Sequence, residues 1–123
     1  MRLAVFLVFI LTTLVSKADE KNAVSPEEAR LYSAYVGALA MKDHCNIKSQ
    51  HREGDFELAL NAIGKSFIKK GMSAESLKKL TEDSKAIALQ KPFSECGADT
   101  KAIIVDSFNK SWVWAMEVAQ QKE

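Results

Sequence analysis

Asp43, His44, Cys45 and His51 are the only residues in this chain whose types and spacing resemble a ligand set. A metal site built from them would need Cys45 as a free thiolate and both imidazoles turned to one point. The spacing His44-x6-His51 is not that of a zinc motif. Cys45 also has a competing fate, because the chain holds one further cysteine, Cys96. In an oxidising compartment two cysteines read as one disulfide, and oxidation removes Cys45 from any ligand set. No metal and no cofactor is therefore expected. Two histidines could still sense acid, but no partner for either is visible in the sequence.

Catalytic arrangements are missing. There is no G-x-S-x-G, no H-E-x-x-H and no free cysteine to pair with a histidine. The expectation is a protein that is not an enzyme.

The tryptophans carry more information. Trp112 and Trp114 lie two residues apart, so on a helix they point about 200° from each other. If Trp112 packs with Phe108, Trp114 faces outward beside Lys110 and Val118. An exposed indole is favoured at the centre of protein interfaces. Trp114, Lys110 and Val118 are thus the candidate partner-binding residues. The alternative is a helix wrapped on most sides, or an indole covered by the N-terminal tail. Asn109-Lys110-Ser111 is a glycosylation acceptor sequence, relevant only in a eukaryotic source.

These residues must be held by helices, and the start of the chain shows where those helices belong. Met1-Arg2 is positively charged, Leu3 to Val15 is apolar apart from Thr12 and Thr13, and Ser16-Lys17-Ala18 offers small residues for cleavage. That layout predicts a cleaved secretory signal peptide over 1–18. Its 13-residue apolar run is shorter than the roughly 20 residues of a spanning helix, so no stable membrane anchor is expected. Periplasmic or secreted material is the expected location. Removing Arg2 and Lys17 lowers Lys+Arg from 17 to 15 against 16 Asp+Glu, a net charge of −1. Such a balance has no pull toward nucleic acid.

Residues 19–24 are polar and are read as a flexible lead-in to a helical domain over 25–123. Ser25-Pro26-Glu27-Glu28 has the residues of a capping box with proline at the first helical position. The first helix should run to about His44 and bury Leu31, Tyr32, Tyr35, Val36 and Leu39, which share one arc. Asp55 is expected to cap a second helix carrying Phe56, Leu60, Ile63 and Phe67, with Gly71 as its stop. Ser73 should cap a third helix, with Met72 and Leu77 as a hydrophobic staple. Its stripe is thin: Leu77, Leu80, Ser84 and Ile87. Pro92 must end that helix by Lys91. The fourth helix should start between Ser94 and Asp99 and bury Ile104, Phe108, Trp112, Ala115 and Ala119.

The expected fold class is all-α, a small four-helix up-down bundle with one disulfide, following the cleaved signal peptide. Cys45 would end the first helix and Cys96 would precede the fourth. The expected role is an exported, non-enzymatic protein-interaction domain of inhibitor, immunity or chaperone type. The alternative is a carrier of a small apolar ligand held between the helices.

Overall fold

The computed structural model describes residues 23–48, 54–90 and 95–121. The expected signal peptide, most of the expected lead-in and His51 lie outside them. The described residues form four helices and no strand: α1 (Pro26–His44), α2 (Asp55–Lys69), α3 (Ala74–Ala88) and α4 (Ala98–Gln120).

The start of α1 follows the local chemistry of its sequence. Ser25 Oγ accepts from the Glu28 N–H at 3.1 Å, and Glu28 Oε1 accepts from the Ser25 N–H at 3.0 Å. Both are donors that a helix start leaves without partners. The other Glu28 oxygen accepts from Lys70 Nζ at 2.6 Å, which ties the start of α1 to the end of α2. Burial pushes the Glu28 carboxyl up. The hydrogen bonds from Lys70 and the Ser25 N–H outweigh that effect and hold it below its ordinary value.

A carboxyl that titrates lower in the folded than in the unfolded state stabilises the fold fully at neutral pH. That contribution fades as the pH falls from the ordinary carboxylate range through the folded-state value. Glu28→Gln keeps an acceptor for Ser25 but removes the charge. It should lower stability at pH 7 by no more than about 1 kcal/mol, because the pair is partly solvated. At acid pH the gap to the parent should close. Urea unfolding of both proteins at pH 7 and pH 3 checks this.

The two helix stops that face the core use the same device. Asn46 (φ 51°) follows α1, and the Ile47 N–H donates to the Lys42 carbonyl at 3.1 Å. Gly71 (φ 110°) follows α2, and the Met72 N–H donates to the Phe67 carbonyl at 3.0 Å. Both are left-handed stops of the Schellman kind, using residues that tolerate positive φ. Ser73 caps α3 by accepting from the Ser76 N–H. Met72 and Leu77 both rest on the core. Asp55 does not cap α2 as expected: Gly54, in the left-handed region, holds the cap position and Asp55 is the first helical residue. There its charge still favours the positive helix end.

α1 is more central than a single buried arc implies. Residues 35–41 are all buried, including Gly37, Ala38, Ala40 and Met41. The cause is that α1 packs on α3 and on α4, and also meets α2. Against α3 the approach is close: a Cβ placed on Gly37 would sit 3.1 Å from Ala88 Cβ. Two hydroxyl pairs sew this seam, Tyr32 with Thr81 at 3.2 Å and Ser33 with Ser84 at 2.6 Å. Thr81 and Ser84 already donate to the Leu77 and Leu80 carbonyls, so Tyr32 and Ser33 are the donors across it. Ser84 is the only fully buried residue of α3, which makes α3 peripheral. Ile87, expected in its stripe, is exposed, and Ala88 takes its place against Gly37.

α4 packs on α1 and α2 and makes no contact with α3. Its buried line is Ile104, Ser107, Phe108 and Ser111, continued by half-buried Trp114, Ala115 and Val118. Trp112 and Ala119, expected in that line, are exposed. From Phe108 the line steps three residues to Ser111 instead of four to Trp112. Ser111 has 0% exposure and gives its proton to the Phe108 carbonyl at 2.8 Å. A small side chain that satisfies its own hydroxyl can sit where a bulky indole cannot.

Aromatic rings join the helices. Tyr32 meets Phe67 edge-on at 5.2 Å, Phe67 meets Trp114 at 5.8 Å, and Phe56 meets Phe108 edge-on at 5.5 Å. The Cys45–Cys96 disulfide, with Cα atoms 5.6 Å apart, clips the end of α1 to the residue before the Gly97 cap of α4.

Candidate functional site

Asp43 and His44 stand exposed in the last turn of α1. Their neighbour Cys45 is committed to Cys96. Among the described residues no group of three or more His, Cys, Asp or Glu side chains is placed to hold a metal ion.

The three residues expected to meet a partner are not brought together. Lys110 is exposed and pairs with Asp106 at 3.0 Å, and that hydrogen bond raises its pKa. Trp114 does not face outward. Its indole is half-buried, edge-on to Tyr35 at 6.1 Å and tilted against Phe67. Lys110 and Trp114 line a shallow hollow of about 480 Å³ with Tyr35 and Val113. Val118 lines a different groove, of about 670 Å³, between α2 and α4.

The outward indole is Trp112. It stacks on Phe108 at 6.0 Å, as the sequence suggested, yet remains 38% exposed. Val105 and Met116 are exposed as well. At 100° per residue Val105, Trp112 and Met116 fall within about 40°, so they form one apolar stripe down the outside of α4. Sequence reasoning missed this stripe because it followed Phe108 to Trp112. The serines at 107 and 111 are the signal that would have found it, since small residues mark a close helix seam. The same packing explains the acceptor sequence at Asn109. Asn109 is exposed, but the Ser111 hydroxyl it would need is buried and bonded within α4.

The two tryptophans should therefore separate by experiment. Trp114→Ala removes a ring wedged between Tyr35 and Phe67 and should cost about 2–3 kcal/mol. Trp112→Ala should change stability by less than about 1 kcal/mol. Urea unfolding followed by circular dichroism measures both.

A third cleft, of about 330 Å³, opens over α1 between α3 and α4, where those two helices do not touch. Its floor is Ala34, Gly37 and Ala38, with exposed Ile87 and Ile103 at its rims. No described helix is long and apolar enough to cross a membrane.

What these elements define is a disulfide-clipped, all-helical domain that leaves one face of its last helix apolar and open. No known protein family, curated protein or solved structure matches the chain.

Proposed function

We propose that this is an exported, non-enzymatic interaction domain, an up-down bundle that binds another protein through the outer face of α4. The observation that carries the reading is the stripe Val105, Trp112 and Met116, exposed on a helix whose adjoining face is already seated. Large apolar side chains aligned in one patch are a recurrent mark of interfaces. Lys110 lies on the same helix but about 140° around it from the stripe, beside the hollow over Tyr35. Trp114 and Val118 lie on the other side of α4, where Trp114 fixes the angle of α4 on α1. Inhibitor, immunity and chaperone roles all fit a small rigid helix face offered to a larger partner. Export accords with the disulfide, which persists where thiols are oxidised. Tyr35 of α1 meets Trp114 late in α4 while Cys45 at the end of α1 meets Cys96 before its start, which supports α1 and α4 running in opposite directions.

The test is photo-crosslinking in the producing cells. A photoreactive phenylalanine analogue at position 112 should give one discrete protein adduct, and the same analogue at Glu82 on exposed α3 should give none. Equal labelling from both positions, or none from position 112, would sink the proposal.

A further inference from the structure

The groove between α2 and α4 has a chemistry that the α4 stripe does not explain. Leu58, Ala62, Lys65 and Lys69 follow one another at +4, +7 and +11 along α2, so they share one face. Val118 and Ala119 of α4 form the opposite wall. The apolar end holds Leu58, which is 64% exposed. The other end holds two ammonium groups one helical turn apart, and such like charges repel. Lys70 beside them is engaged by Glu28. Neither Lys65 nor Lys69 has an acidic partner among the described residues.

An apolar trough with its cations gathered at one end suits a ligand with one anionic head and one apolar tail. An acidic peptide would need cations spread along the groove, and between Leu58 and the lysines this one offers the uncharged Asn61 and Ala62. The volume of about 670 Å³ lies within the range of small-molecule sites. From Lys65 to Leu58 the helix rises about 10 Å, room for the tail of a medium-chain carboxylic acid.

We propose that this groove binds a medium-chain carboxylate. The carboxylate bridges Lys65 and Lys69, and the hydrocarbon lies along Leu58, Ala62, Val118 and Ala119. Two charge-assisted hydrogen bonds hold the head, and burial of each methylene tightens binding by about three- to fourfold. The proposal stands independently of partner binding at the α4 stripe.

Laurate, decanoate and dodecanol are the probes, titrated calorimetrically into the protein. One laurate per chain should bind, more tightly than decanoate and more tightly than neutral dodecanol. The double variant Lys65→Ala, Lys69→Ala alters two exposed side chains and should stay folded by circular dichroism. It should bind laurate about tenfold more weakly and dodecanol unchanged. Ala62→Trp should fill the trough and block both. The inference is overturned if laurate does not bind, or if laurate and dodecanol bind alike. It is also overturned if the double variant keeps the parent's affinity, or if a glutamate-rich amphipathic peptide binds at Lys65 and Lys69 while laurate does not.

Discussion

Replacing both Cys45 and Cys96 with serine should lower the unfolding free energy by about 4 kcal/mol. The bridge spans 51 residues of sequence, so in the unfolded chain it closes a loop that includes all of α2 and α3. Without it the unfolded ensemble gains the freedom of that loop. A domain of this size has a total stability of roughly 5–15 kcal/mol, so the loss removes a large share. The folded state suffers too. α4 begins at Ala98 with a Gly97 cap that has no side chain to satisfy its first N–H groups. The covalent tie at Cys96 holds that weak start against the end of α1. Denaturant unfolding with and without reductant measures the effect. The midpoint should fall on reduction, and the denaturant slope should rise because the uncrosslinked chain exposes more surface. An unchanged midpoint would mean that the α1–α4 seam holds itself.

Much of this architecture is visible in single residues. The capping box at Ser25 and Glu28, the serine cap at Ser73 and the left-handed stop at Gly71 are local matters. Neighbours in sequence decide them, and the structure repeats each one. The disulfide follows from there being only two cysteines. What the sequence could not show is which side of a helix meets which neighbour. α1 is apolar or small all round from Tyr35 to Met41, so its periodicity could not reveal that three helices surround it. On α4 both Ser111 and Trp112 continue a line from Phe108, and composition favours the tryptophan. Packing chose the serine, because the close seam has no room for an indole. That one-residue rotation turned Trp114 inward and left Trp112 on the surface. The groove of Lys65 and Lys69 depends on α2 lying beside the last turns of α4, and such pairings come from tertiary contact alone.

Phe67→Ala should be the most damaging core substitution, costing about 3–5 kcal/mol. The ring is 0% exposed and belongs to α2, yet its edge contact is Tyr32 of α1 and its tilted contact is Trp114 of α4. One truncation therefore loosens three helices at once. Tyr32 is held by its bond to Thr81, which resists movement toward the cavity. Phe67→Leu, which keeps most of the volume, should cost clearly less. Because Phe67 and Trp114 touch, Phe67→Ala and Trp114→Ala should not add. Their double-mutant coupling should be about 0.5–1.5 kcal/mol. Urea unfolding of the four proteins in this cycle gives the coupling directly. A value near zero would mean that α4 does not lean on α2 through these rings. The inward turn of Trp114, and with it the exposure of Trp112 to a partner, would then lose its structural cause.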